Sequence, residues 1–138
     1  SVLGTAGFNT TFPSVKNEGR FFLSYENGGF DFNAYVNHLG GYTNWSGSVA
    51  NALTRTNGVP TGGGDPVKSF TTVDLNIGYT FEDLGPLNEM QIFLDVTNLF
   101  DTDPPQYNTF VANGPAGYDN INASPIGRVA TIGLRTKF

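Results

Sequence analysis

Cysteine is absent from the 138 residues, so disulfides, thiol nucleophiles and Cys-ligated zinc play no part in this chain. Histidine occurs once, at His38, with neither a second His nor a Cys beside it, and no nucleophile–base arrangement of an enzyme can be assembled around it. Basic residues are scarce: seven Lys and Arg stand against twelve Asp and Glu, a net charge of −5, which excludes the electrostatic footprint of a nucleic-acid binder. Uninterrupted apolar runs are only a few residues long, so no transmembrane helix is expected. No charged-then-apolar leader precedes Ser1 and the lone Met90 is internal, so the chain reads as either processed or cut from something longer.

What is abundant is Gly (18), Phe (12), Pro (8) and Tyr (6), a composition that favours strands and turns over helices. The period agrees. From Phe70 to Phe81, Val73, Leu75, Ile77, Tyr79 and Phe81 share one parity, while Thr72, Asp74, Asn76, Gly78 and Thr80 share the other. After Glu82-Asp83-Leu84-Gly85-Pro86-Leu87, the alternation resumes with Met90, Ile92, Leu94 and Val96 opposite Gln91, Phe93, Asp95 and Thr97, predicting an antiparallel hairpin. A turn pairing Asp74 with Asp95 would place two carboxylates side by side, in a charge network with Arg135 or Lys137. Gly127–Phe138 repeats the pattern, as do Gly19–Tyr25 and Phe30–His38, which are joined by the tight turn Glu26-Asn27-Gly28-Gly29. Five antiparallel strands are expected, and an all-β fold.

The connections alternate short and long, the long ones being 39–69 and 99–126, and both long ones fall at the same end of the implied sheet. Short turns at one end and long loops at the other is the layout of an up-and-down transmembrane β-barrel, and the strand lengths suit a tilted crossing. A soluble β-sandwich that binds carbohydrate accounts for the alternation equally well. The polar face favours the barrel, because it carries Asp31, Asn33, Tyr35, Asp74, Asn76, Asp95 and Arg135, as a wet lumen would. Aromatics near the strand ends of the apolar face point the same way. As an isolated segment, the sheet has raw edges at Gly19–Tyr25 and Gly127–Phe138, and aggregation is expected unless they are paired.

Certain motifs carry a resemblance. The run from Thr72 to Phe81, then Asp95-Val96-Thr97-Asn98-Leu99-Phe100-Asp101 with Pro104-Pro105 behind it, and Pro125-Ile126-Gly127-Arg128 leading into a last strand that ends on Phe138, resemble the C-terminal end of a TonB-dependent outer-membrane receptor. The resemblance implies that residues 1–138 supply about five strands of a barrel of about 22, enclosing a plug. It further implies a place in the bacterial outer membrane and the import of a scarce nutrient: a ferric siderophore, cobalamin or an oligosaccharide. The implied partners are outer-membrane lipid, the remaining strands and plug, TonB through an N-terminal segment absent here, and the barrel-assembly machinery, whose signal would be Phe138. No catalysis and no cofactor are implied.

Candidate ligand contacts lie in the long loops: Tyr42, Asn44, Trp45 and Arg55 in the first, Tyr107, Tyr118 and Asp119 in the second. Aromatic faces beside amides and carboxylates suit sugars or chelates, by stacking on one side and hydrogen bonding on the other. Asn98 and Asp101, where a strand runs into a loop, are expected to bond nearby backbone and fix the exit.

Overall fold

The structure, a computed structural model, describes residues 15–44, 64–107 and 117–138, together with the backbone of two short strands at 54–56 and 59–61. The described residues are all-β. In chain order the strands are β1 (Glu18–Asn27), β2 (Phe30–Leu39), β3 (Tyr42–Asn44), β4 (Thr54–Thr56), β5 (Val59–Thr61), β6 (Asp65–Val67), β7 (Phe70–Leu84), β8 (Leu87–Thr97) and β9 (Val129–Lys137). The five longest form one antiparallel sheet in the order β1-β2-β7-β8-β9, while β3 pairs with β6 and β4 with β5. The connection expected as a plain loop over 39–69 therefore holds four short strands. The chain divides into two compact units: one of Arg20–Asn37, Thr71–Thr102 and Ile126–Phe138, the other of Ser1–Gly19, His38–Phe70 and Asp103–Pro125.

In the sheet unit, both hairpins close on two residues. Gly28 (φ 54°) and Gly29 (φ 84°) lie in the left-handed region at both central positions, the type I′ geometry whose twist matches the flanking strands. Gly85 (φ 75°) followed by Pro86 joins Leu84 to Leu87 in a type II′ manner. That turn is tighter than the six residues expected from the sequence, and the register moves with it. Asp95 faces Asn76 on one side and Thr131 on the other; it does not face Asp74. The shift is by whole pleats, so every side chain keeps its expected face.

The apolar parity forms one continuous face: Leu75 opposite Val96 opposite Ala130, Ile77 opposite Leu94 opposite Ile132, Tyr79 opposite Ile92 opposite Leu134. This face is open to its surroundings. Ile132 is 79% exposed, Leu134 62%, Phe21 70% and Leu23 64%, and on this face of the five strands only Val96 is buried. Aromatics collect towards the two-residue turns, where Tyr25 meets Phe30 (ring centroids 6.3 Å apart) and Tyr79 meets Phe81 (4.7 Å). Phe138, next to the Lys137 that pairs with Glu89, ends the chain near the same turns and is exposed.

Candidate functional site

The residues expected to face a lumen share the other face of the sheet. Along its middle runs a hydrogen-bond ladder that crosses four strands in one direction. Ser24 Oγ donates to Asn33 Oδ1 (2.7 Å), Asn33 Nδ2 to Asn76 Oδ1 (3.1 Å), and Asn76 Nδ2 to Asp95 Oδ1 (2.5 Å). Each rung is possible because period-two strands present side chains at the same height to their neighbours. Each amide spends an acceptor on one side and a donor on the other, so the polarity of the ladder terminates at a carboxylate.

Nearer the end away from the turns, Asp74 ties three segments together. Its Oδ2 accepts Asn37 Nδ2 (2.8 Å) and its Oδ1 accepts the backbone N–H of Asn98 (3.0 Å), while Asn37 Nδ2 also reaches Thr72 Oγ1 (3.3 Å). The expected network of Asp74 and Asp95 with Arg135 and Lys137 is replaced by these amide contacts, a consequence of the tighter turn. Arg135 stands further along, with its Nη1 3.4 Å from Gln91 Oε1 and its guanidinium 6.0 Å from the centre of the Phe93 ring. Tyr35 lies under the Arg20 guanidinium (4.6 Å to the ring centre) and stacks on Phe22. Asp31 packs over Gly78, where a Cβ would fall 2.1 Å from its Oδ2, so only glycine leaves room for that carboxylate. At the turn end this face hollows into an open concavity of about 540 Å³ bounded by Glu26, Asp31, Thr80 and Gln91.

The strand exit behaves as Asn98 and Asp101 lead one to expect. Both take left-handed backbone (φ 52° and 55°), which short polar side chains tolerate. Asn98 brackets the turn, its Nδ2 donating to Thr102 O and its Oδ1 accepting Thr102 N–H. Asp101 Oδ1 accepts the backbone N–H of Arg128 (2.7 Å), and Arg128 Nη1 reaches Leu99 O (3.4 Å), so the end of β8 is tied to the approach to β9. That second tie was not legible from spacing, because 27 residues separate its partners.

In the other unit, three of the loop candidates come together. The Tyr42 hydroxyl donates to Asp119 Oδ2 in a very short hydrogen bond, and the Tyr42 and Tyr107 rings lie 6.4 Å apart with Val67 and Val15 packed around them. Asp119, 2% exposed, also accepts Asn122 Nδ2 (2.5 Å) at Oδ2 and the backbone N–H groups of Ile121 (2.9 Å) and Asn122 (3.3 Å) at Oδ1. An aspartate bonded to amides two and three residues ahead is an Asx-type turn, here locked from outside by a tyrosine. Tyr118 makes an isolated β-bridge with Gln106. Asn44, 1% exposed, sits opposite Asp65 in the β3–β6 pair. Trp45 lies outside the described residues, and Arg55 is described only as a backbone position in β4.

Burial first, then the hydrogen bond to Asp119 and its negative charge, push the Tyr42 phenol far above its ordinary value near 10. The folded unit thus holds a proton that the unfolded chain releases near pH 10, so the stability from this group is complete below that pH and declines above it. Tyr42 is expected to show no phenolate absorbance near 295 nm until the unit itself unfolds in alkali. Tyr42→Phe should flatten this alkaline loss, as read by circular dichroism between about pH 9 and 12.

Compared with protein-family models, curated proteins and solved structures, the chain matches none.

Proposed function

We propose that the chain is a wall segment of an outer-membrane barrel of the TonB-dependent receptor kind, lining the path by which the full receptor imports a scarce nutrient. The observation that supports it is the contrast between the two faces of one sheet. A continuous apolar face, with Ile132 79% and Leu134 62% exposed, backs a face cross-linked by amides and carboxylates. Apolar area left in water costs about 25 cal/mol per Å², so a face of this extent calls for a greasy medium. Hydrocarbon chains supply one, and the aromatics collected near the turns, Tyr25, Phe30, Tyr79 and Phe81, match the girdle at a membrane boundary. The opposite face would line the lumen with satisfied polar groups. The remaining strands, the plug and the TonB-contacting segment lie outside these residues in this reading, and the part played here is architectural, without catalysis. The carbohydrate-binding sandwich would need a second layer over the same apolar residues.

Quenching by brominated lipid tests this reading. Single tryptophans are placed at Leu94, Ile132 or Thr131 in a chain whose Trp45 is replaced by Phe, and each protein is refolded into phospholipid vesicles. Leu94→Trp and Ile132→Trp should be strongly quenched and Thr131→Trp weakly. Equal, weak quenching at all three positions would defeat the membrane assignment.

A further inference from the structure

The tight turn Glu26-Asn27-Gly28-Gly29 carries a chemistry that a place in the wall of a sheet does not use. We propose that Asn27-Gly28 is a self-modification site. The Gly28 nitrogen closes on the Asn27 side chain, the Tyr25 hydroxyl protonates the departing amide, and the turn converts to a mixture of aspartate and isoaspartate. The proposal does not rest on the membrane reading, and every contact it uses lies inside the β1–β2 hairpin.

Of the asparagines among the described residues, Asn27 alone precedes a glycine. A following residue without a Cβ leaves a five-membered ring the room to close. Gly28 is exposed, and a Cβ built on it would meet nothing within 4 Å, so its nitrogen stands open to water. The closing hydrogen bonds of a two-residue hairpin belong to the flanking residues, here Asn27 and Phe30. The Gly28 N–H has no backbone acceptor among the described residues, and no ladder bond has to break to free it. Asn33 and Asn76 are placed differently: their amides are rungs of the polar ladder, and Ala34 and Ile77 follow them within strands. The Asn27 amide instead donates from Nδ2 to the Tyr25 hydroxyl at 3.2 Å, which sets a proton donor against the one atom that has to leave.

Water is the only co-reactant the chemistry needs. The Gly28 N–H gives its proton to water, and the nitrogen bonds to Asn27 Cγ. The Cγ–Nδ2 bond then breaks: Nδ2 takes the Tyr25 hydroxyl proton and departs as ammonia, and the phenolate recovers a proton from water. Proton transfer to a leaving group within hydrogen-bond reach is general-acid catalysis. Water opens the succinimide that results. Breakage of its Cγ–N bond leaves aspartate in an unchanged main chain, and breakage of the α-carbonyl C–N bond leaves isoaspartate, with the main chain running through Cβ and Cγ. Either product adds a carboxylate next to Glu26 and Asp31, which form the next pair inward from the turn, and like charges gathered across a ladder disfavour it.

The test follows the full 138-residue chain, folded in phospholipid vesicles or in nonionic detergent and, in parallel, unfolded in urea, all in mildly alkaline buffer. Peptide mass spectrometry quantifies aspartate and isoaspartate at position 27 over time. The two other Asn-Gly pairs of the sequence, Asn57-Gly58 and Asn113-Gly114, serve as the internal reference. Isoaspartate should appear together with aspartate, because direct hydrolysis of the side chain yields aspartate alone. Tyr25→Phe keeps the ring that meets Phe30 and removes only the hydroxyl. In the folded chain it should slow the loss of Asn27 about fivefold relative to both reference pairs, less than a fully positioned acid supplies in an enzyme. In urea it should change nothing. Aspartate without isoaspartate, an Asn27 that stays intact while the reference pairs react, a Tyr25→Phe rate unchanged or raised in the folded chain, or an equal slowing in urea overturns the proposal. Failure of lipid to quench the tryptophans leaves these readouts untouched, so the two readings fail separately.

Discussion

Asp119→Ala is expected to cost the unit that contains it about 3 kcal/mol or more. The substitution removes the acceptor of the buried Tyr42 hydroxyl and of three part-buried donors, Asn122 Nδ2 and the amides of Ile121 and Asn122; a buried donor that loses its acceptor costs about 1–3 kcal/mol and the part-buried ones less. In native-state hydrogen exchange the loss appears as about a hundredfold drop in protection at Ile121 and Asn122, as every 1.4 kcal/mol is a factor of ten. Asp119→Asn should cost less. Its carbonyl still accepts the two backbone N–H groups, and the Tyr42 hydroxyl can rotate to accept from the new amide. Unchanged protection in Asp119→Ala would mean that the Asx turn is held by something else.

On the sheet, the largest effect is expected from charge on the apolar face. Leu94 and Ile132 are register partners in the middle of β8 and β9. Arginine at either position should destabilise the vesicle-folded protein by about 2–4 kcal/mol, the penalty for that side chain near a bilayer midplane. Thr131→Arg, one residue away on the polar face beside Asp95, should be close to neutral. Urea titration of the three variants in vesicles measures the contrast. If Ile132→Arg were as well tolerated as Thr131→Arg, water and not lipid would wet this face.

The extent to which the sequence was legible follows from the range of each interaction. Period-two alternation is a property of neighbouring residues, so the five long strands and the parity of Leu75, Ile77, Leu94 and Ile132 could be read without coordinates. The exit turn at Asn98 was readable for the same reason, since its side chain bonds Thr102, four residues on. Register was harder. It depends on which residues occupy the centre of the turn, and Glu82-Asp83-Leu84-Gly85-Pro86-Leu87 offers several centres of equal parity. The choice of Gly85-Pro86 put Asn76, not Asp74, beside Asp95.

The knot at Asp119 had no local signal to read. Tyr42 and Asp119 are 77 residues apart, and the pairing of β3 with β6 that fixes Tyr42 opposite Val67 involves strands of three residues each, too short to show a period. Composition did single out Tyr42, Tyr107 and Asp119 as loop groups with chemical potential. In the structure the Tyr42 hydroxyl and the Asp119 carboxylate are turned towards one another, the Tyr107 ring packs beside Tyr42, and each Asp119 oxygen accepts two donors.

Alternation along the chain was thus enough to establish that this protein is a sheet with one greasy and one polar face, because steric geometry sends successive side chains to opposite sides of any extended backbone. Which polar groups meet across that sheet, and which loop residues are used up in each other's company, was decided only by tertiary structure. Those pairings depend on turns and contacts between residues far apart in the chain, where the sequence has no period to show.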